Sequence, residues 1–444
     1  MIKKLSGGSG SICRVIDNKY VIKSAHTDQA RKKIKQQIAF LQANPKTVYP
    51  EIIDSGNDWY TMPYYKNQWK PKIKANEIKA LRTADYLFRC QVPIHHGRVQ
   101  GFDFNYYTAK IIPLLKSGDI VFPHHLIHAG FFRDFDTTEF HGDLTLENID
   151  IIEPDGNLMF YDPNPSGEWE TWGLEVSKFL CSAYYGYEWL RDNKMEEFEP
   201  FTDPTFFSTD RKVLNSLKFY AACHFMRITP YNGREIWRQK YNEIMLDLLD
   251  DIFPHTPRIY DFDGVLVHTK SANELAFKKA GDEIGIVTGK FDYNSGFGYG
   301  YKEAIPMMFG KELTDQQIED IHIAKRHLYL SEDILPFTKP INYMVNNYLK
   351  WFVEGKSHIM TLASKECATA VLDFHEIPYN SIGFLASKTD KIAFSSTIQD
   401  ETAQHEGFPR MRKRSLLPIV FEDDPECIKL LKEDPNFILI EVKK

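Results

Sequence analysis

The chain has 444 residues, 43% hydrophobic and 14% aromatic, with a net charge of −7; at roughly 100–200 residues per core this excludes a single small domain, and the modest charge gives no basis for a nucleic-acid footprint. Its six cysteines (Cys13, Cys90, Cys181, Cys223, Cys367, Cys427) are scattered singly with no C-x-x-C pair, so they read as reduced thiols in a cytoplasmic setting. Met1-Ile2-Lys3-Lys4-Leu5 runs directly into Ser6-Gly7-Gly8-Ser9-Gly10, which leaves no apolar leader, and no apolar run reaches ~18 residues, so neither secretion nor a membrane span is expected.

Residues 2–24 carry a hairpin pattern: an apolar start, a Gly/Ser turn, a strand through Ile16, an Asp17-Asn18 turn, and the strand Tyr20-Val21-Ile22-Lys23. Gly8 and Gly10 lack a Cβ, so backbone amides there can approach the phosphates of a nucleotide, and Lys23 is placed to pair with the α- and β-phosphates. A helix is predicted over Asp28–Gln42, with apolar Ile34, Ile38 and Leu41, followed by short strands near Ile52-Ile53 and Trp59–Met62. Met62-Pro63-Tyr64-Tyr65 reads as a connector into a helical part, offering backbone at Met62 and Tyr64 to an adenine ring.

The segment His141-Gly142-Asp143-Leu144-Thr145-Leu146-Glu147-Asn148 precedes a predicted hairpin, Ile149–Ile152 and Leu158–Asp162, which returns Asp162 beside Asn148. Phosphoryl transfer needs metal ligands near the nucleotide phosphates and a base near the incoming hydroxyl; Asn148 and Asp162 suit the first role and Asp143 the second. HGDxxxxN with a strand-end aspartate resembles the kinase-like phosphotransferases of the aminoglycoside and choline kinase type. That resemblance implies a bilobal domain over 1–253, with an N-lobe to about 64 and a helical C-lobe beyond. It makes Asp143 the catalytic base, gives Asn148 and Asp162 to magnesium, sets Lys23 on the phosphates of ATP, and has His141 support the loop. Two departures stand out: Gln36 or Gln37 occupies the place of the family's helix glutamate, and Asp162 is followed by Pro163-Asn164 rather than Phe-Gly.

A second beginning follows Pro254. Arg258-Ile259-Tyr260-Asp261-Phe262-Asp263-Gly264-Val265-Leu266 is a buried strand ending in two aspartates, with a glycine to turn the chain away. The pair suits phosphate-ester cleavage, Asp261 as nucleophile and Asp263 as acid and then base. An anionic nucleophile and an anionic ester require Mg²⁺, a cation and a hydroxyl or amide donor. Three later strand ends offer Thr361 as donor, Lys388 in preference to Lys391 as cation, and Asp423, among Glu422-Asp423-Asp424, as metal ligand. DFDGVLVHT resembles the opening signature of the haloacid dehalogenase-like (HAD) hydrolases. By that resemblance Asp261, Asp263 and Asp423 bind magnesium, Asp263 through its backbone carbonyl. The hydrolase domain would span 258–444 as a Rossmann-like parallel-sheet core with a helical cap over about 268–334.

The expected whole is a multidomain α/β and α+β protein. Its two activities would be ATP-dependent phosphorylation of a sugar, polyol or alcohol hydroxyl and Mg²⁺-dependent hydrolysis of a phosphate monoester through an aspartyl-phosphate. Acting on different positions of one metabolite, they would suit surface-polysaccharide precursor synthesis. The competing readings are a phosphatase regulated by an inactive kinase-like ATP-binding domain, and a non-enzymatic nucleotide-binding scaffold. The expected partners are a small-molecule acceptor and a phosphate ester, with neither nucleic acid nor membrane.

Overall fold

The computed structural model describes residues 2–5, 11–44, 48–64, 73–89, 106–116, 118–123, 126, 130–133, 135, 141–152, 157–164, 171–232, 235–286, 291–296, 301–405, 417–432 and 438–443. The chain divides into two compact units, Met1–Leu114 with His124–Ile252, and Leu115–Pro123 with Phe253–Lys444. Both contain helices and strands, and no helix among the described residues is long and apolar enough to cross a membrane.

In the first unit, β1 (Ile2–Leu5), β2 (Ser11–Ile16), β3 (Tyr20–Ala25), β4 (Asp54–Ser55) and β5 (Trp59–Pro63) form an antiparallel sheet in the order β1-β2-β3-β5-β4. Asp17 and Asn18 both take left-handed backbone, φ 50° and 53°, in the three-residue loop that joins Ile16 to its partner Tyr20, a conformation that Asp and Asn tolerate better than most residues. That turn sets a register in which Lys23 lies opposite Cys13 on β2 and Tyr60 on β5. α1 (Asp28–Ala43) starts at Thr27, whose hydroxyl accepts the Ala30 amide at 3.1 Å and so satisfies one of the orphan donors of the first turn. Ile34, Phe40 and Leu41 of α1 pack with Tyr60.

After α2 (Ile73–Arg89), the hairpin β7 (Ile149–Ile152) and β8 (Asn157–Phe160) pairs Ile149 with Phe160. The helices α3 (Trp172–Ala183), α4 (Tyr187–Arg191), α5 (Arg211–Asn232) and α6 (Glu235–Ile252) complete the unit. Leu144, Leu146, Ile149 and Phe160 share an apolar cluster with Trp172, Val176, Phe179 and Leu180 of α3. Each such side chain contributes about 1.5–3 kcal/mol on burial, so the segment is anchored by its apolar residues. Asp143 and Asn148 between them stay half-buried.

The second unit is built on a six-stranded sheet. Its strands are β6 (Ile120–Val121), β9 (Arg258–Asp261), β12 (Ser357–Thr361), β13 (Ile382–Phe384), β14 (Ile419–Glu422) and β15 (Ile438–Val442), in the order β13-β12-β9-β14-β15-β6. The first five are parallel, and β6 adds antiparallel to β15 with Ile120 opposite Val442. β9 and β14 are buried along their whole length, as central parallel strands must be. The chain runs from β9 outward to β12 and β13, then crosses back to β14 on the other side of β9. That reversal opens a crevice beyond the carboxyl ends of the strands.

Residues 115–123 depart from the sequence-based boundary, which put them in the helical part of the first domain. Ile120 is fully buried, and β6 covers an edge of β15 whose backbone would otherwise stand unpaired. A further excursion leaves the sheet between β10 (Val267–His268) and β11 (Lys339–Pro340), two short strands that pair antiparallel. Between them lie α7 (Lys270–Glu283), α8 (Tyr301–Phe309) and α9 (Asp315–Tyr329). These helices share their own apolar cluster, including Phe277, Ile305, Met308, Phe309 and Ile321. The remaining helices are α10 (Asn342–Val353), α11 (Lys365–Phe374), α12 (Asp390–His405) and α13 (Pro425–Lys432).

Candidate active sites

In the first unit the buried Lys23 points its ammonium at Asp162, 2.5 Å from Oδ1. Gln37, fully buried on α1, donates to the same oxygen at 2.5 Å and to the Pro163 carbonyl at 2.6 Å. Gln36 is exposed, so Gln37 is the helix residue that faces the site. Burial alone would push the Asp162 carboxyl up; Lys23, Lys33 and Gln37 outweigh it and hold the group well below the usual carboxylate range. Asp162 also adopts φ 57°, a left-handed backbone that costs a non-glycine residue energy and persists where surrounding contacts enforce it.

His141 is buried with Nε2 2.6 Å from the Tyr161 carbonyl and Nδ1 3.3 Å from the Asp143 amide. Nε2 therefore donates and Nδ1 accepts, which describes a neutral ring. Burial pushes the ring's pKa down to about 4, in agreement with that tautomer. The Asn148 amide donates to the Asp143 carbonyl at 2.8 Å, and the Tyr161 amide to the Asn148 carbonyl at 2.7 Å. The hairpin thus brings the residue before Asp162 against Asn148, and with its side-chain nitrogen serving Asp143, the Asn148 oxygen is the atom that would ligate a metal.

Other expected contacts differ. Met62 lies on β5 opposite Val21, and the Tyr64 amide donates to the Lys19 carbonyl at 2.8 Å. The Tyr64 amide is thus committed within the sheet, because the Asp17-Asn18 turn presents that carbonyl to it. Gly8 and Gly10 lie outside the described residues. Two side chains that the sequence reading passed over meet the Asp143 segment. Lys178 Nζ is 3.2 Å from Asp143 Oδ1, and Glu175 accepts the Gly142 amide at 2.8 Å. The available signal was two charged residues three apart in the otherwise apolar α3.

In the second unit Asp261 ends β9, buried, with Oδ1 3.2 Å from Lys391 Nζ. Lys391 in turn lies 2.5 Å from Glu422, the last residue of β14. Burial opposes the charge on Lys391, but Asp261 and Glu422 override it and hold the amine protonated well above neutral pH. Lys388, the expected cation, is drawn away, 3.1 Å from Asp424 and 2.6 Å from Glu426. The assignment is therefore corrected to Lys391, which lies in the first turn of α12.

Asp261, Glu422 and Asp423 each offer an oxygen, all within 4.8 Å of one another. Burial, and next the Glu422 carboxylate, push the Asp261 carboxyl well above its ordinary range. Three crowded carboxylates against one ammonium are a donor set that fits a hard divalent cation such as Mg²⁺. Gly264 follows at φ 78°, where any Cβ would overlap the Asp423 carboxylate, so glycine is needed there both for its backbone and for the close approach. Glu422 was passed over in favour of Asp423; its signal was a carboxylate closing the apolar run Ile419-Val420-Phe421.

Asp263 lies in the turn after β9 and accepts a hydrogen bond from the Thr269 hydroxyl. Thr361 is fully buried at the end of β12, its hydroxyl oxygen accepting the Ala363 amide at 3.0 Å. The next residue, Leu362, lines a cavity of about 300 Å³ together with Asp261, Asp263, Asn273, Tyr293 and Lys391. Asn273 belongs to α7 and Tyr293 to the segment beyond it, so the inserted helices supply one wall.

No protein-family model and no curated protein matches the sequence. Solved structures similar to this chain include kinases and hydrolases. A choline kinase from Streptococcus pneumoniae is 14% identical with a TM-score of 0.36, covering 56% of this chain and 93% of its own. CbbY from Rhodobacter sphaeroides, in complex with phosphate, is 18% identical with a TM-score of 0.30, covering 42% of this chain and 85% of its own. A hydrolase from Pseudomonas syringae is 20% identical with a TM-score of 0.27, covering 38% of this chain and 76% of its own.

Proposed function

We propose that the chain is bifunctional, a small-molecule phosphotransferase in its first unit and a phosphate monoester hydrolase of the HAD type in its second. The observation that carries this reading is the convergence of Asp261, Lys391, Glu422 and Asp423 at the carboxyl ends of the neighbouring parallel strands β9 and β14. In the hydrolase, Asp261 attacks phosphorus while the bond to the leaving alkoxide breaks, and Asp263 protonates that alkoxide. Asp263 then takes a proton from the water that opens the aspartyl-phosphate, releasing inorganic phosphate. Lys391 offsets the charge that Asp261 and the phosphoryl oxygens bring together, and Glu422 holds it in place. Magnesium, held by Asp261, Asp423 and the Asp263 carbonyl, would supply further charge neutralisation at the phosphoryl group. We read α7–α9 as a cap that limits water in the cavity.

In the first unit, Asp143 takes the proton of an acceptor hydroxyl as its oxygen attacks the γ-phosphorus of ATP and ADP departs. Asn148 and Asp162 are suited to hold magnesium there. The acceptor class we propose is a sugar, polyol or alcohol, with the two reactions at different positions of successive metabolites. The test is to incubate the protein with Mg²⁺, ATP and a panel of alcohols, sugars and their phosphates, following ADP and free phosphate separately. ADP formation lost in Asp143→Asn and phosphate release lost in Asp261→Asn support both activities. Phosphate release that survives Asp261→Asn overturns the hydrolase reading.

A second reading has the first unit bind ATP without turnover and regulate the hydrolase. Its support is specific: Lys23 is paired with Asp162, and the helix residue at that pair is Gln37, an amide rather than a carboxylate. ATP binding with no Asp143-dependent ADP would favour it.

A further inference from the structure

α3 is buried along almost its whole length yet carries Glu175 and Lys178, three residues apart and therefore on one face. Both reach the loop that carries Asp143. Glu175 Oε2 accepts the Gly142 amide at 2.8 Å, and Gly142 is left-handed at φ 75°, so the carboxylate clamps the turn that aims Asp143. One turn along α3, Lys178 Nζ lies 3.2 Å from Asp143 Oδ1. A further turn along, Ser182 accepts the Leu146 amide at 3.3 Å. Three successive turns of one helix therefore hold the loop between Gly142 and Leu146.

Lys178 is an expensive choice for this position. Only 9% of it is exposed, and a buried ion pair rarely stabilises a fold more than apolar packing of the same volume. The groups facing it are Asp143 from the loop, Cys181 on its own helix, Tyr187 of α4 with its ring centroid 5.4 Å away, Tyr106, and Arg227 and His224 of α5. Arg227 opposes a second positive charge, and His224 is held neutral by burial. Burial likewise opposes the charge on Lys178, and Asp143 leads the neighbours that override it. Asp143 itself also faces the neutral His141 ring and the Asn148 amide, 3.5 Å from its carboxylate.

We propose that Lys178 is a positioning residue for the phosphotransferase: its ammonium, 3.2 Å from Oδ1, fixes the Asp143 carboxylate in one orientation, ready to accept the proton of the incoming hydroxyl. As that proton moves to Asp143, the acceptor oxygen bonds to the γ-phosphorus and the bond to the bridging oxygen of ADP breaks. Lys178 keeps its own proton throughout. The inference rests on reading the first unit as a phosphotransferase with Asp143 as base.

The experiment measures ADP formation from ATP and Mg²⁺ by the full-length protein at neutral pH, separating kcat from KM, with the panel acceptor that gives the fastest rate. Wild type is compared with Asp143→Asn, Lys178→Met and Lys178→Arg. Lys178→Met is expected to lower kcat by about tenfold or more, with KM for ATP nearly unchanged, because the base loses its fixed orientation. Lys178→Arg, which keeps both the charge and a donor to Asp143, is expected to restore most of kcat. Should Lys178→Met fail to fold, Lys178→Gln takes its place, since it retains a donor to Asp143 without the charge. A neutral variant with the wild-type kcat overturns the proposal alone. Wild type that forms no Asp143-dependent ADP overturns the phosphotransferase reading and the proposal with it.

Discussion

The Lys391 ammonium lies 3.2 Å from the Asp261 carboxylate, and both groups are buried. Lys388, three residues earlier, is 25% exposed at its side chain and pairs with Asp424 and Glu426. The two lysines should therefore separate cleanly. Lys391→Met is expected to reduce phosphate release by about 10²–10³-fold, the usual loss when a preorganised charge is removed from a dry site. Lys388→Met should change it less than about fivefold, since partly exposed ion pairs contribute little. Steady-state phosphate release with a generic phosphate monoester measures both.

Gly264→Ala is expected to damage the same site by geometry. The backbone at φ 78° disfavours any side chain, and the added methyl would displace the Asp423 carboxylate. The backbone term alone is about 1–2 kcal/mol. The expected outcome is a lower melting temperature and a higher Mg²⁺ concentration for half-maximal phosphate release, checked by calorimetry and by Mg²⁺ titration of activity.

Glu188 supplies a pH dependence of stability. It is buried on α4, accepts the Ser182 hydroxyl at 2.8 Å, and burial, with Glu147 next, pushes its carboxyl up to about 7. A folded-state pKa raised above the unfolded value gives stability that is full below the ordinary carboxylate range and lost as pH rises through about 7. The loss is on the order of 3–4 kcal/mol. Glu188→Gln should flatten that part of the stability curve between pH 5 and 8, as measured by denaturant unfolding at each pH.

Ile120 tests the reach of the segment 115–123. It is fully buried in β6 against β15, so Ile120→Asp would put an unpaired carboxylate at that edge. A loss of more than about 3 kcal/mol is expected in the second unit. Phosphate release should then fail on mild heating before wild type does, although the substituted residue precedes the hydrolase segment by more than a hundred positions.

Much of the first unit's beginning is legible in its local pattern. The Asp17-Asn18 turn and the helix over Asp28–Gln42 match β2, β3 and α1 closely, because turn chemistry and apolar spacing act over a few neighbouring residues. The choice between Gln36 and Gln37 was legible too. Ile34, Ile38 and Leu41 mark the inner face of α1, and Gln37 falls on it. Lys391 is different: nothing in Lys388-Thr389-Asp390-Lys391 states that α12 begins at Asp390, or which lysine that start turns toward β9.

By itself, the sequence determined the contiguous chemistry: Asp261 and Asp263 ahead of Gly264, and His141, Asp143 and Asn148 in one short run. Within such segments the spacing of side chains follows from bond geometry and local turns. Only the tertiary structure decided that Lys391 meets Asp261, that Glu422 joins it, that Lys178 meets Asp143, and that Ile120 closes an edge beside Val442. Each of these pairs joins segments distant along the chain, and their meeting depends on sheet order, strand register and helix rotation, which packing of the whole core sets and local spacing does not encode.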